Sequence, residues 1–280
     1  MNEARNKGRI KVIKDGSYLV SENAPIAEKM PAIFIGHGSP MNAIENNSYT
    51  AMWTQVAKEM KRPEGILSIS AHWFTHGTKI TDAPRPKVIY DMYGFPEALY
   101  RVAYQPPGDM ERAHETIQLI SRQVTVDNTW GIDYGTWSVL CHMYPEADIP
   151  VYQMSVDADA DAETQFEIGK EIKKLRNRGI MILGSGNVVH NLSQVNWNME
   201  GGYQWAQEFD SYIKNSVTKR NYKDVIDYKK AGRSAEMAFY TPDHFAPLLY
   251  VLGASQENDR LTVFNDSCTM GGTIYDLLPV

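Results

Sequence analysis

Short apolar runs recur along the chain, and each is bounded by glycine, proline or polar residues. Runs of this length and composition are typical of buried β-strands. Five strands are predicted on this basis, at Pro31–Gly36, Gly65–Ala71, Ile149–Val156, Gly179–Gly184 and Leu261–Asn265.

The segments between these strands have a helical pattern instead. Apolar residues that recur three or four positions apart lie on one face of an α-helix. Four helices are predicted from such sets: Met52, Val56 and Met60; Ala113, Ile117 and Ile120; Phe166, Gly169, Ile172 and Leu175; Trp205, Phe209 and Tyr212. Alternating strands and helices predict an α/β fold with a mostly parallel central sheet and helices on both faces.

Two segments fall outside this alternation. The stretch from Asp82 to Asp109 is rich in proline, tyrosine and glycine, which indicates a long ordered loop over the edge of the sheet. Residues 1–29 are interpreted as an N-terminal arm of uncertain order, and residues 30–280 as a single domain that carries the function.

Composition narrows the classes of function. A formal net charge of -6 disfavours nucleic acid as a partner, because binding to its phosphates needs clustered lysine and arginine. The chain has no apolar run of about 18 residues and its N-terminus has no apolar signal core, so we expect neither a membrane partner nor export. Cys141 and Cys268 are too few for a disulfide framework and are interpreted as buried thiols. These features predict a cytoplasmic protein.

Two histidines follow predicted strands at nearly the same offset. His37 comes directly after the strand PAIFIG, and His72 follows the strand GILSIS. Ligands of α/β sheets bind outside the carboxyl ends of the strands. We therefore expect the active site at this edge, with both imidazoles close together.

Two further histidines are expected at the same edge. His190 lies in GSGNVVHN, just past a third predicted strand, where the glycines allow a sharp turn. This segment lacks the last glycine of a GxGxxG phosphate loop. His244 is predicted in a first helical turn capped by Thr241, where the positive end of the helix dipole favours the neutral, metal-binding imidazole.

The dispersed histidines predict a metal site assembled by the fold, since no zinc finger or HExxH helix is present. The remaining histidines, His76, His114 and His142, are assigned structural roles. Serine hydrolase and phosphoryl-transfer functions have little support, because the sequence has no GxSxG elbow, P-loop or kinase motif set.

Six segments in collinear order resemble one known family. They are PAIFIGHGSPM, SAHW, DMYGFPEALYRVAYQPPG, GTWSVLCHMYPEADIPV, GSGNVVHNL and TPDHFAPLLYVLGA. Together they resemble the LigB-type class III extradiol dioxygenases, and within them the 4,5-DOPA extradiol dioxygenase branch that includes bacterial YgiD-like proteins. The similarity runs from about Met30 to the C-terminus.

The resemblance implies an oxidoreductase that cleaves a catechol such as DOPA beside its diol, with incorporation of both atoms of O2. It implies one divalent metal per chain, Fe(II) for turnover or Zn(II) as bound. His37, His72 and His244 are similar to the family's metal ligands, and His190 to a residue that is either acid/base or a further ligand. The sequence fixes neither the physiological catechol nor whether the chain forms an oligomer.

One position departs from the pattern. Relatives commonly read DHGTW where this chain has Asp133, Tyr134, Gly135, Thr136 and Trp137. A tyrosine can donate a hydrogen bond but, with a pKa near 10, cannot shuttle protons at neutral pH as histidine can. Tyr134 favours one alternative to the dioxygenase, a catalytically weakened metal-binding protein that retains the fold, and a zinc hydrolase is a second alternative.

Overall fold

The computed structural model describes residues 29–196, 198–269 and 272–279, together with residues 11–12 and 18–19. Its strands are β1 Lys11–Val12, β2 Tyr18–Leu19, β3 Ala32–Gly36, β4 Gly65–Thr75, β5 Thr78–Ile80, β6 Lys87–Val88, β7 Val124–Val126, β8 Gly131–Ile132, β9 Val151–Asp157, β10 Ile180–Gly186, β11 Leu261–Thr269 and β12 Gly272–Pro279. Its α-helices are α1 Ser48–Glu59, α2 Glu97–Tyr100, α3 Met110–Leu119, α4 Tyr134–Met143, α5 Ala162–Ile172, α6 Gln204–Thr218, α7 Tyr222–Ile226, α8 Arg233–Ala238 and α9 Ala246–Ala254.

Eight strands form the main sheet, in the order β11-β12-β3-β10-β4-β9-β5-β7. The central strands β3, β10, β4 and β9 are parallel, so their carboxyl ends share one edge. Antiparallel strands border this core, with β12 beside β3 and β5 beside β9. The predicted α/β fold with a mostly parallel sheet is confirmed.

Apolar side chains cover both faces of the sheet, as the near-continuous apolar strands predict. Along β3, Ala32 and Phe34 pack into one core cluster, while Ile33 and Ile35 pack into the other. Helices α5, α6 and α9 contribute to the first cluster, and α1 and α4 to the second. The prediction of helices on both faces is confirmed.

Polar residues set the starts of several helices. The side chain of Asn47 accepts from the backbone N–H of Thr50 and completes a capping box at α1. Asp133 and Asp161 cap α4 and α5 through one bond each, by accepting from Thr136 N–H and Thr164 N–H. The cap at Asp133 fixes the first turn of α4, where the Tyr134 ring packs beside the rings of His72 and His37.

Several predicted boundaries differ from the observed ones. Strand β4 extends to Thr75 and so includes His72, which was expected after the strand. The stretch 82–109 is mainly loop, as predicted, but contains the short elements β6 and α2. Strand β12 was missed, because Asp276 interrupts its apolar run. The predicted arm 1–29 lies mostly outside the described residues. Within the described part of the chain, no helix is long and apolar enough to cross a membrane.

Candidate metal centre

Three predicted site histidines converge at the carboxyl edge of the parallel strands. His37 directly follows β3, His72 lies near the end of β4, and His244 lies in the turn before α9. One possible ligand atom from each lies within 4.8 Å of the others. His37 and His244 are buried and the His72 side chain is 14% exposed, so the cluster is largely shielded from solvent.

A bulge in β4 brings His72 into this cluster. Ser70 and Phe74 of β4 pair with Ser155 and Val156, which are consecutive in β9, so three residues of β4 are inserted between them. Such bulges bend a strand and redirect its side chains, and they are common beside active sites. The prediction that His72 follows the strand end is therefore wrong in detail, although His72 does reach the expected edge.

Close packing of two backbones positions His244. Helix α9 begins at Ala246 and Thr241 donates to Asp243, so the predicted first-turn position and Thr241 cap are wrong. The N–H of Asn187 instead donates to the carbonyl of His244 at 2.9 Å. A Cβ on Gly186 would lie 2.1 Å from that carbonyl oxygen. Gly186 therefore allows β10 to approach the His244 segment closely. The sequence had suggested that this glycine allows a sharp turn.

The Nδ1 atom of each histidine is held by a neighbour. That of His37 lies 2.9 Å from Ser185 Oγ. His72 Nδ1 lies 2.7 Å from Asp91 Oδ2, and His244 Nδ1 lies 2.5 Å from Asp243 Oδ2. Metal-binding histidines typically use one ring nitrogen in this way and present the other to the metal.

The Nε2 atoms are consequently the ones available to a metal. Those of His37 and His72 are 3.3 Å apart. His244 Nε2 is buried without a hydrogen-bond partner in the described part of the chain. A buried, unpartnered nitrogen is costly unless something binds it. This atom, together with an all-imidazole donor set, fits a divalent metal such as zinc or iron.

Ring spacing agrees with tetrahedral ligation. With metal–nitrogen bonds of about 2.1 Å, two tetrahedral imidazole ligands have nitrogens about 3.4 Å and ring centroids about 5.2 Å apart. The three observed centroid distances among His37, His72 and His244 are 5.0, 5.3 and 5.1 Å. The three rings therefore stand where ligands of one small ion would stand.

His190 has a different relation to the cluster. Its ring stacks on that of His244 with centroids 3.5 Å apart and an interplanar angle of 11°. Two ligands at that spacing would subtend only about 65° at a metal, well below the tetrahedral angle. His190 also lies with Asp243 and His244 in a second group of converging ligand atoms. Its side chain has no hydrogen-bond partner among the described residues, which leaves it available to a bound molecule.

Burial keeps most of these imidazoles neutral. Burial, and then the neighbouring His72, lowers the pKa of His37 well below its usual value. Burial also lowers the pKa of His244, against the opposing effect of Asp243, and lowers the pKa of His190 to about 3. Burial favours the neutral form expected for His244, whereas the sequence expectation relied on a helix start that does not include this residue. Neutral imidazole is the form that binds metal or accepts a proton.

His72 is the exception among the four. Burial lowers its pKa, but the hydrogen bond to Asp91 and the charges of Asp133 and Asp91 outweigh burial, so that the pKa is raised. A divalent cation at Nε2 competes with the proton at that atom. The carboxylates around His72 would therefore also stabilise a bound cation.

Tyr134 and Asp133 line the same site at the start of α4. The Tyr134 ring lies 4.1 Å from the His72 ring and 5.4 Å from the His37 ring, between centroids. Its backbone N–H donates to Asp91 Oδ1 at 3.0 Å, while its hydroxyl has no partner within the described chain. Burial, and then Asp91, raises the pKa of Tyr134, so the phenol stays protonated. Asp133 is fully buried and accepts from Ser70 Oγ at 2.7 Å.

The sequence did not predict the three residues that contact the Nδ1 atoms of the histidines, Asp91, Ser185 and Asp243. Asp91 lies in the aperiodic loop, and Ser185 lies within a strand, where a buried serine gives no distinct signal. Asp243 was identified only for its position at a helix start. Its place directly before His244 was the available signal, because an adjacent carboxylate can reach Nδ1.

The histidines that were assigned structural roles lie away from the metal cluster. His76 pairs with Asp159 at the surface, His114 pairs with Asp82, and His142 Nε2 lies 2.7 Å from the carbonyl oxygen of Asn42. Cys141 is half-buried, and burial raises its pKa to about 12. The side chain of Cys268 lies outside the described residues.

The chain is similar to a family of aromatic ring-opening dioxygenases and to proteins named as extradiol dioxygenases. The family described as the catalytic LigB subunit of aromatic ring-opening dioxygenase matches residues 31–277. A 4,5-DOPA dioxygenase extradiol of Escherichia coli K12 is 40% identical over 90% of this chain and 95% of its own length. That of Beta vulgaris is 34% identical over 86% and 93%. A crystal structure of an uncharacterized Escherichia coli K12 protein has a TM-score of 0.79 at 37% identity, and covers 90% of this chain and 100% of that protein.

Proposed function

The chain belongs to the LigB family of aromatic ring-opening dioxygenases and is a metal-dependent extradiol dioxygenase, and we propose that its substrate is a catechol such as DOPA. The substrate class is supported by the relatives named for 4,5-DOPA. The observation that carries the proposal in this chain is the convergence of three imidazoles, each with Nδ1 held by a neighbour.

We propose His37, His72 and His244 as the metal ligands, with Fe(II) in turnover and Zn(II) as a resting ion. A metal held by these residues would act as a Lewis acid towards the catechol and O2. Three neutral ligands would not compensate the positive charge of the ion, and this charge would favour binding of an anionic catechol. A set of three protein ligands is also the number typical of catalytic metal sites.

His190 is proposed as the acid/base residue. Its stacking distance from His244 argues against simultaneous ligation, and its side chain has no hydrogen-bond partner among the described residues, which leaves it available to the substrate. A neutral imidazole first accepts a proton, so His190 takes one from a catechol hydroxyl and returns it later in the reaction. The stacked His244 ring holds His190 in position for this transfer.

Oxygen uptake tests the function directly. Protein loaded with Fe(II) should consume O2 when L-DOPA or caffeate is added under air, and a yellow ring-fission product should form. The His37→Ala variant, treated in the same way, provides the control for free iron. Full metal occupancy without O2 consumption would instead support the catalytically weakened metal-binding protein. The zinc hydrolase has no support from the relatives of Escherichia coli and Beta vulgaris, both of which are named as dioxygenases.

Tyr134 is proposed as a hydrogen-bond donor to the reactants. Turnover is expected to be slower with this tyrosine than with a histidine at the same position. Its hydroxyl faces no described partner, yet burial prevents it from losing its proton near neutrality. Tyr134→His should raise the steady-state rate of O2 uptake at equal iron content, because imidazole can both donate and accept a proton.

Tyr134→Phe separates this role from simple packing. It retains the ring beside His72 and removes only the hydroxyl. An unchanged rate in both variants would mean that Tyr134 merely fills the pocket wall. A fall in rate for Tyr134→His would mean that the phenol has a role that imidazole cannot replace.

We further propose that residues 30–280 form the catalytic domain and that the protein works in the cytosol. The family match begins at residue 31, which supports the first proposal. The scarcity of cysteine supports the second, since two cysteines are too few for a disulfide framework.

A further inference from the structure

We propose that Ser185 is a positioning residue of the metal centre, which fixes His37 in the tautomer with the proton on Nδ1. This inference rests on the proposed role of His37 as a ligand. An imidazole protonated on Nε2 cannot bind a metal through that atom, so the tautomer decides whether His37 is ready to ligate.

The direction of two hydrogen bonds carries the inference. Ser185 Oγ lies 2.5 Å from the carbonyl oxygen of Gly135 and 2.9 Å from His37 Nδ1. A carbonyl oxygen only accepts, so the single hydroxyl proton of Ser185 is donated to Gly135. Ser185 Oγ must then accept from His37, which places the ring proton on Nδ1 and leaves the lone pair of Nε2 free. Ser185 is fully buried, so bulk solvent offers no competing partner.

His37 differs in this respect from the other two proposed ligands. His72 and His244 face carboxylates, which accept hydrogen bonds whatever their orientation. A serine hydroxyl can donate or accept. Because Ser185 donates its proton to the carbonyl oxygen of Gly135, its Oγ can only accept from His37. The tautomer of His37 therefore depends on where the first turn of α4 lies.

That turn is held tightly against the site. A Cβ on Gly135 would lie 2.7 Å from Ser70 Oγ and 3.0 Å from His72 Cδ2, so the backbone approaches as closely as glycine allows. The preceding residue, Tyr134, donates its N–H to Asp91, the carboxylate that orients His72. One helical turn thus fixes the orientation of two proposed ligands, through Ser185 for His37 and through Asp91 for His72.

Ser185→Ala tests the proposal, with Ser68→Ala as the matched control. Ser68 is also fully buried and also contacts α4, through Thr136 Oγ1 at 2.7 Å, but it has no hydrogen bond to a histidine in the described part of the chain. Zn(II) affinity, measured by competition with a chelator, should fall about 10–100-fold in Ser185→Ala, the usual effect of losing a partner of a metal-binding histidine. Ser68→Ala should retain the wild-type affinity.

Nitrogen NMR of the metal-free protein provides a second readout that needs neither metal nor turnover. In the wild type, His37 should give the signature of a protonated Nδ1 and a bare Nε2, and Ser185→Ala should lose it. A wild-type His37 with its proton on Nε2 would overturn the proposal, even if Ser185→Ala failed to fold. An equal loss of affinity in both serine variants would also overturn it, by assigning the effect to the helix as a whole. Absence of zinc binding by the wild type would instead count against the proposed metal centre.

Discussion

His72→Ala is expected to purify with almost no bound metal, whereas the wild type carries about one divalent ion per chain. His72 is one of three proposed ligands, and its Nε2 lies 3.3 Å from that of His37. Removing a partner that only orients a ligand costs about 10–100-fold in metal affinity, so removing a ligand should cost more than about 100-fold. Elemental analysis of the purified protein would measure its metal content. Oxygen uptake should disappear together with the metal.

His76→Ala is the matched control for this loss. His76 lies four residues further along the chain, and its side chain is 93% exposed and pairs with Asp159. The same substitution there should leave metal content and oxygen uptake unchanged. Full occupancy in both His72→Ala and His37→Ala would remove the basis for the proposed ligand set.

His190→Ala is expected to retain its metal and to lose about two to four decades of turnover rate, the usual span for general acid/base catalysis. Metal should be retained because the stacking distance from His244 places His190 off the ion. Rate should be lost because no other neutral imidazole near the site is free of a proposed ligand role. Metal content and oxygen uptake must be measured on the same preparation.

His190→Gln distinguishes proton transfer from hydrogen bonding. Glutamine can bond to a catechol hydroxyl but does not titrate near neutrality. If His190 moves a proton, the glutamine variant should be as slow as the alanine variant. A glutamine variant with the wild-type rate would restrict His190 to substrate binding. Loss of metal in either variant would make His190 a fourth ligand.

The periodicity of the chain was sufficient to predict the parallel core of the sheet and the edge at which the site lies. Buried parallel strands are continuous apolar runs, and four of the five predicted strands form the parallel core. Since these strands are parallel, residues that follow β3 and β10 must approach the same edge. This is why His37 and His190 could be placed together without any knowledge of tertiary contacts.

What the sequence could not predict depends on contacts between distant segments. The bulge that redirects His72 is a property of the pairing of β4 with β9, and nothing in SAHW alone requires it. Asp91, the partner of His72, comes from a loop without periodicity. It accepts a hydrogen bond from the backbone N–H of Tyr134, which lies 43 positions further along the chain. The close approach of Gly186 to His244 is likewise visible only in the fold.

The difference between His190 and the three proposed ligands was also beyond the sequence. All four histidines lie at the same edge, and the resemblance to the family left His190 open as a ligand or an acid/base residue. Ring geometry separates them, because His190 stacks on His244 at 3.5 Å, whereas the three pairs among His37, His72 and His244 keep the spacing of tetrahedral ligands.

Anomalous diffraction from crystals of the metal-loaded protein is the most direct test of the proposed centre. One peak is expected, about 2.0–2.2 Å from Nε2 of His37, His72 and His244, with His190 outside coordination distance. A peak held by His190, Asp243 and His244, the second group of converging ligand atoms, would contradict the account.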